Sequence, residues 1–299
     1  MKRAVSISIG SSKRNKSVEV NLFGEIVSIE RIGTDGSMEQ AAELFRQLDG
    51  KVDAFGLGGT DLGLTVGSKW YPLHSMQPMV RFVRLTPLVD GSGIRKAIES
   101  QIAAFIEAKI GGYITEKKVL MTSGADRWDM TISFIHAGYE CVFGDLMFAL
   151  GLPIPLRSLV AVQRLASILL PVVGRLPFSW IYPTGEKQEK RTPKYLNYYR
   201  WATVIAGDCH YVKSHMPDRL EGKIVATNTT TPEDMEFFRQ VGIKYLVTST
   251  PVLEGRSFGT NMMEAAFIAV SGKGRKLTDE ELRQMLDQSG YQPQLQVLN

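Results

Sequence analysis

The sequence predicts an α/β protein in which an N-terminal α/β lobe precedes a Rossmann-like parallel-sheet domain with an inserted lid or arm. From Lys117 onward, short β-branched runs alternate with polar loops and helical stretches, which is typical of a parallel sheet with crossover helices. The chain has 299 residues, of which 44% are hydrophobic, so it is long enough to form two domains.

The first lobe is predicted over residues 1–112. Its elements are strands at 4–9, 18–22 and 26–32, a helix at 38–48, a buried strand at 52–57 and a helix at 93–110. The last helix follows the turn Val89-Asp90-Gly91-Ser92 and ends at Gly111-Gly112, a pair typical of a helix C-cap. We therefore place the domain boundary at this point.

The Rossmann-like domain is predicted over residues 113–275. Its five strands are expected at 119–122, 140–143, 203–206, 223–227 and 245–248, each followed by small or polar residues. In an open α/β sheet, ligands bind beyond the carboxyl ends of the strands, so the five loops are expected to meet around a ligand.

An insertion at 146–201 separates the second strand from the third. Its segment 174–200 is rich in aromatic and basic residues and fits either a lid or dimer arm, or a solvated surface excursion. After the domain, residues 276–299 are predicted to form a helix capped by Thr278, then a Gln-rich end that frays.

Composition excludes several classes of function. Lys and Arg exceed Asp and Glu by only 35 − 31 = 4, which gives no indication of a nucleic-acid partner. The most apolar stretch is too short to span a bilayer, and the two cysteines favour a reducing, cytoplasmic setting. No zinc pattern, phosphate-loop motif or serine-hydrolase elbow occurs, so no metal is predicted.

The first candidate site is the loop after the strand at 119–122, which contains Ser123, Gly124, Asp126 and Arg127. Asp145 ends the next strand about 20 residues later, the spacing of a site that binds pyrophosphate on loop amides and ribose on a carboxylate. The predicted cofactor is NAD or NADP. Only one glycine stands where three are usual, so a plain structural unit or another ligand is the alternative.

A second candidate site begins at Thr250 and continues through Arg256, Thr260 and Asn261. Here a strand end, a loop with one arginine and a helix start converge, so backbone donors and the helix dipole could face one anion. The alternative is a capped helix with a surface arginine.

Two further groups follow strands of the same sheet. Asn228 and Thr229 either contact the ligand or cap the helix that begins near Pro232. Asp208 and His210 form a candidate acid/base pair, because histidine titrates near neutrality and a nearby carboxylate raises its pKa. A structural histidine is the alternative.

Two stretches resemble motifs of the shikimate/quinate 5-dehydrogenase family. Residues Val89-Asp90-Gly91-Ser92-Gly93 are similar to its Asn-Thr-Asp-Gly-x-Gly stretch, and Asn228-Thr229-Thr230-Thr231-Pro232 to its Asn-Ala-Thr-Pro loop. The resemblance implies a substrate lobe followed by a dinucleotide lobe. It also implies that Asp90 contacts the substrate hydroxyls and assists proton transfer.

Three functions remain open at this stage. The first is an NAD(P)-dependent oxidoreductase acting on a small polyhydroxylated acid, and the second is a non-redox binding or regulatory protein that has lost the dinucleotide loop. An actin-like kinase, using the Gly-Ser-Ser and Gly-Gly-Thr-Asp loops of the first lobe, is the third. The expected partner is a small anionic or polyhydroxylated molecule, with a homodimer as a further expectation.

Overall fold

A computed structural model gives the structure of the chain and describes residues 1–177, 191–250, 252–253, 256–257 and 259–299. Contacts divide the chain into two compact units. The first contains Met1–Gly63, Pro72–Ala97 and Pro251–Gln292, and the second contains Leu64–Tyr71, Ile98–Thr250 and Pro293–Asn299. This division differs from the predicted boundary at 112–113, because the chain leaves the first unit near residue 97 and returns to it after residue 250.

The described elements follow one another along the chain. The strands are β1 Lys2–Ser8, β2 Lys16–Leu22, β3 Glu25–Gly33, β4 Ala54–Gly58, β5 Gly63–Val66, β6 Lys69–Pro72, β7 Leu88–Val89, β8 Lys118–Met121, β9 Glu140–Phe143, β10 Val204–Ala206, β11 Ile224–Thr227, β12 Tyr245–Thr248, β13 Val252–Leu253, β14 Arg256–Ser257 and β15 Gln294–Val297. The α-helices are α1 Met38–Leu48, α2 Gln77–Val80, α3 Ser92–Glu99, α4 Ile102–Ile110, α5 Trp128–His136, α6 Leu159–Val173, α7 Leu196–Trp201, α8 Cys209–Ser214, α9 Pro232–Val241, α10 Thr260–Ser271 and α11 Asp279–Gln288.

The first unit contains a five-stranded sheet in the order β2-β3-β1-β4-β7. β1 pairs in parallel with β3 and β4, and β4 with β7, whereas β2 is antiparallel to β3. Along β2 buried positions alternate with exposed ones, because only one face of this outer strand is covered. The strands predicted at 4–9, 18–22 and 26–32 are confirmed, with ends shifted by a few residues.

Helix α10 completes the core of the first unit. Every residue from Met262 to Ala269 is buried, and the helix packs on β1 and β4. A helix that is apolar on every side has to be covered by other parts of the chain, and the sheet of the first unit covers one of its sides. Residues 113–275 were predicted to form one nucleotide-binding domain, whereas the division by contacts groups Pro251–Gln292 with the first unit.

The second unit contains a six-stranded sheet in the order β15-β12-β11-β10-β8-β9. β8 to β12 are parallel, as predicted, and β15 adds an antiparallel edge. In chain order the parallel strands lie second, first, third, fourth and fifth, so the strand order reverses between β8 and β10. This is the Rossmann-like arrangement, and that reversal is where ligands usually bind in such sheets.

Two predicted elements differ from the structure. The helix predicted at 93–110 is broken by a turn at Ser100 and Gln101 into α3 and α4, at the place where the chain enters the second unit. The Gln-rich end does not fray but forms β15, because its residues complete the backbone hydrogen bonds of β12.

The helix predicted after residue 276 is confirmed as α11. Thr278 accepts a hydrogen bond from the Glu281 amide, and the Glu281 side chain accepts one from the Thr278 amide, which forms the predicted capping box. Within the insertion at 146–201 the structure contains α6 and α7. Residues 178–190 lie outside the described part of the chain, so the lid or arm at 174–200 stays a prediction.

Candidate functional site

The loops at the carboxyl ends of the parallel strands form one hydrogen-bonded network in the second unit. Arg127, after β8, bonds Asp208, after β10, with 2.6 Å between Nη2 and Oδ2. Asn228, after β11, donates to the same carboxylate at 2.7 Å. The Thr229 and Thr250 hydroxyls lie 2.6 Å apart and connect the loops after β11 and β12.

The Asp145 carboxylate occupies the amides of the loop after β8. Its oxygens accept hydrogen bonds from Gly124 N at 3.1 Å and from Ala125 N at 2.8 Å. Burial raises the pKa of Asp145 against the lowering effect of these amides. These are the amides that were predicted to bind pyrophosphate, so the predicted ribose contact of Asp145 is replaced by a contact with the loop itself.

The Arg127 side chain fills the crevice between β8 and β10, where the strand order reverses. This side chain is buried and contacts Glu99 at 3.2 Å and Asp126 at 3.2 Å, as well as Asp208. A Cβ on Gly207, which has φ +143°, would lie only 2.1 Å from the Thr122 Oγ1 atom, so the loops after β8 and β10 touch. Arg127 and Asp126 therefore belong to a packed ion network.

Asp208 is the centre of this network. Burial opposes ionisation of its carboxyl, but Arg127 and the hydrogen bonds from His210 N and Asn228 outweigh burial and hold its pKa below the ordinary value. Asp208 consequently stays ionised. Its side chain also caps α8 by accepting the His210 amide at 3.0 Å.

The hydrogen bond between the predicted acid/base pair involves the backbone of His210 rather than its ring. Burial lowers the pKa of the His210 ring, and nearby Lys213 and His215 add to that effect against the opposing charges of Asp208 and Asp234. His210 is therefore neutral at pH 7 and offers one donor and one acceptor to a ligand.

A cleft of about 650 Å³ opens beside this network, between the loops after β10 and β11. Its lining is rich in hydroxyl, amide and carboxylate groups; the residues are Arg191, Asp208, Cys209, His210, Lys213, Ser214, Asn228, Thr229, Thr231, Glu233, Asp234 and Phe237. The two cations among its described lining residues are paired with acids, Lys213 with Asp234 and Arg191 with Asp218. The cleft thus offers many hydrogen-bonding groups and little net positive charge.

Helix caps determine part of this lining. Thr231 accepts the Asp234 amide, and Asp234 accepts the Thr231 amide at 2.8 Å, so α9 begins with a capping box. Asn228 accepts the Cys209 amide at 3.1 Å while donating to Asp208. Asn228 is therefore part of the network, and the cap of α9 predicted near Pro232 is supplied by Thr231.

Four predicted site residues lie in the first unit: Asp90, which was predicted there, and Arg256, Thr260 and Asn261, which were not. Asp90 accepts hydrogen bonds from Leu62 N at 2.7 Å and Ser92 N at 3.0 Å. Asn261 donates to Ser6 Oγ at 2.7 Å, and Thr260 is the first residue of α10. The prediction that Thr260 and Asn261 lie in the nucleotide-binding domain is wrong, because apolar α10 is buried in the first unit. Arg256 is in β14, and its side chain lies outside the described part of the chain.

Sequence analysis missed two buried carboxylates. Glu99 is 1% exposed and bonds Arg127, and Glu264 is 6% exposed and accepts the amides of Gly93 and Ile94. Burial raises the pKa of Glu264 to about 7. The detectable signal was a charged residue inside an apolar helical stretch, as Glu264 is within α10.

Within the described residues, no group of three or more His, Cys, Asp or Glu side chains is placed to hold a metal ion. The same part of the chain contains no helix long and apolar enough to cross a membrane.

Two family models together match most of the chain. The model described as Domain of unknown function (DUF8754) matches residues 93–298. The chain belongs to the DUF8754 family. A second model, Domain of unknown function (DUF8753), matches residues 3–90, so the two matches meet near the start of α3. A search of curated proteins finds no match.

Solved structures give weak likenesses. The malic enzyme of Entamoeba histolytica is 10% identical with a TM-score of 0.41, over 94% of this chain and 60% of that one. A galactofuranose binding protein is 10% identical with a TM-score of 0.40, over 98% and 94%. The NAD-dependent malic enzyme of Thermotoga maritima is 10% identical with a TM-score of 0.35, over 95% and 83%. No function is transferred from these proteins.

Proposed function

We propose that this protein binds a small polyhydroxylated molecule without redox chemistry, in the cleft between the loops after β10 and β11. The observation that carries this proposal is the contrast between two neighbouring places in the second unit. The loop amides after β8 are bonded to Asp145, whereas the adjacent cleft is open and lined with polar groups.

The lining of the cleft suits hydroxyl groups. A ligand hydroxyl donates to carboxylates such as Asp208 and Glu233. It accepts hydrogen bonds from the N–H of an amide or imidazole group, or from the O–H of a hydroxyl group. Phe237 adds an apolar surface against which the carbon face of such a molecule can pack. Because Lys213 and Arg191 are paired with acids, a free phosphate gains little there.

A dinucleotide would have to displace groups that the second unit already uses. Its pyrophosphate would compete with Asp145 for the amides of Gly124 and Ala125, and the negative charge of Asp126 lies close by. Opening the crevice at the strand reversal would separate Arg127 from Asp208.

The second candidate function is an NAD(P)-dependent oxidoreductase acting on a quinate- or shikimate-like acid. The order of the parallel strands favours it, since dinucleotides bind at this reversal in Rossmann folds. The motif resemblance at residues 228–232 favours it as well. In this function Ser123, Gly124, Asn228 and Thr229 would line the cofactor site, and a neutral His210 could accept the hydroxyl proton.

Isothermal titration calorimetry with the full chain distinguishes the two candidates. The probes are ribose, glucose, inositol and quinate in one arm, and NAD and NADP in the other. We expect heat of binding from at least one polyhydroxylated probe and none from either dinucleotide. Glu233→Gln removes a carboxylate from the cleft and should weaken that binding by about tenfold, the effect of losing one charged hydrogen bond.

Glu236→Gln is the matched control. Glu236 is on the same helix but lies outside the cleft and pairs with Arg239, so its replacement should leave the affinity unchanged. Saturable binding of NAD or NADP by the unmodified chain would favour the oxidoreductase instead. Equal affinities of both variants would remove the cleft from the proposal.

A further inference from the structure

We infer that β15 is a self-association edge, and that two copies of this chain pair through it to extend the sheet of the second unit. This inference does not depend on the proposed function. β15 is the outermost strand beside β12, and Val297 is 65% exposed. The partner that fits this edge is a second copy of the chain in antiparallel orientation.

The ladder with β12 determines which backbone groups of β15 point outward. Leu298 N donates to Lys244 O at 2.9 Å, and hydrogen-bonded pairs alternate with non-bonded pairs in an antiparallel ladder. Gln294 and Gln296 therefore bond β12. The N–H and C=O groups of Leu295 and Val297 point away from it and have no backbone partner among the described residues, so they are available to another strand.

Among the described residues the three other outer strands are protected, β7 because it has only two residues, Leu88 and Val89, and β15 is not protected. The chain covers the free side of β9 through two hydrogen bonds between Phe143 and Leu156, at 2.9 and 3.0 Å. β2, at the edge of the first unit, carries Lys16 and Glu19, and charges on an edge strand discourage pairing. The sequence of β15 is Gln-Leu-Gln-Val and contains neither charge nor proline.

The register of the pairing follows from these groups. With Gln296 on the two-fold axis, Leu295 faces Val297 of the second copy, and the two residues exchange both backbone hydrogen bonds. The symmetry-related pair, Val297 with Leu295 of the second copy, also exchanges two backbone hydrogen bonds. The contact therefore contains four backbone hydrogen bonds. The exposed Val297 side chain then packs on Leu295 across the interface, and the two Gln296 amides face each other.

A register shifted by two residues toward the N-terminus would bring Pro293 into the pairing, and proline has no N–H to donate. A shift toward the C-terminus requires Asn299, whose side chain donates to Arg239 O and Ile243 O. The contact is therefore confined to a short edge. Its small area predicts a weak dimer with a dissociation constant in the micromolar range or above.

Sedimentation velocity over a series of protein concentrations tests this inference with the full chain. The unmodified protein should shift from monomer to dimer as its concentration rises. Val297→Pro removes an outward N–H that β12 does not use, and Val297→Lys places a charge on the edge. Each change should weaken dimerisation at least about tenfold.

Val160→Lys is the control, because Val160 is also an exposed valine, at 52% against 65% for Val297, and lies on α6. It should dimerise as the unmodified chain does, and circular dichroism should show that all three variants remain folded. A chain that stays monomeric at every concentration would overturn the inference. So would a dimer that both Val297 variants leave intact.

Discussion

The two units of the molecule share an arrangement of strands and differ in how deeply they bury its charges. In each unit the first four parallel strands lie in the order second, first, third, fourth. In each, an aspartate after the second strand accepts backbone amides from the loop after the first. Asp35 accepts Ser12 N at 2.8 Å, and Asp145 accepts Gly124 N and Ala125 N.

The two carboxyl groups accept similar hydrogen bonds, yet their pKa values are shifted in opposite directions. Asp35 is exposed, and hydrogen bonds from Ser12 hold its pKa below the ordinary value. Asp145 is enclosed, and burial raises its pKa although it accepts two amides. The comparison teaches that the cost of removing a carboxylate from water can exceed the gain from its hydrogen bonds.

The largest expected effect comes from Arg127→Met, which leaves Glu99 and Asp208 in the second unit without their guanidinium. Loss of one partner of a buried pair should lower the free energy of unfolding by about 3 to 5 kcal/mol. Urea unfolding followed by tryptophan fluorescence measures it, because Trp70, Trp128 and Trp201 all lie in the second unit.

Arg95→Met is the matched change in the first unit. The Arg95–Asp61 pair is more exposed, at 17% and 13%, than the Arg127–Glu99 pair, at 7% and 2%, so we expect a smaller loss of about 1 to 2 kcal/mol, measured by circular dichroism. Equal losses in the two units would break the comparison, since they would mean that burial does not set the energy of these pairs.

The next effect is a pH dependence of the first unit that comes from Glu264. Its pKa is raised from 4.5 to about 7 in the folded chain, so its contribution to stability is fully present below pH 4.5 and is lost as pH rises through 7. This difference in pKa corresponds to roughly 3 kcal/mol. Glu264→Gln should remove that pH dependence and make the first unit more stable at pH 8.

Urea unfolding at several pH values, followed by far-ultraviolet circular dichroism, checks this expectation. Glu19→Gln is the control, because Glu19 lies exposed on β2 and its replacement should leave the pH profile of the unmodified chain unchanged. If the stability of Glu264→Gln still declines between pH 4.5 and 7, another group causes the pH dependence.

The smallest effect sharpens the comparison of the two aspartates. Asp145→Ala leaves the Gly124 and Ala125 amides without an acceptor and should cost about 1 to 2 kcal/mol. The freed amides form an anion site, so inorganic phosphate should raise the melting temperature of this variant. Asp35→Gly should cost less, because the Ser12 amide is exposed to water and glycine tolerates the left-handed backbone at residue 35, where φ is +48°.

Phosphate should leave the melting temperatures of the unmodified chain and of Asp35→Gly unchanged. A phosphate response in the unmodified chain would mean that Asp145 yields the amides readily. In that case the oxidoreductase would become the better proposal.

Local elements were largely predictable, because they depend on neighbouring residues. Helix α1 and strands β9 and β12 have the predicted bounds, since apolar spacing and flanking glycine or polar residues determine them. The capping box of α11 was predicted from Thr278 and Glu281 alone. Strand formation by the Gln-rich C-terminal residues was not predicted, because β15 gains its order from pairing with β12.

The candidate site was predictable only in part. The sequence indicated that loops after the parallel strands carry the polar residues, and Asp208, His210, Asn228 and Thr229 do line one cleft. It gave no indication that Asp145 bonds the loop amides. Nor did it pair Arg127 with Glu99, 28 residues away. Such contacts depend on which helix faces which loop.

The sequence by itself therefore determined the α/β class, the five parallel strands of the second unit and the helix caps, since each follows from periodicity or from a few adjacent side chains. Tertiary structure alone decided that the chain returns to the first unit through α10, and that Asp145 and Arg127 occupy the strand reversal. The physical reason is that burial depends on distant parts of the chain. Burial decides whether a carboxylate is available to a ligand or is bonded within the fold.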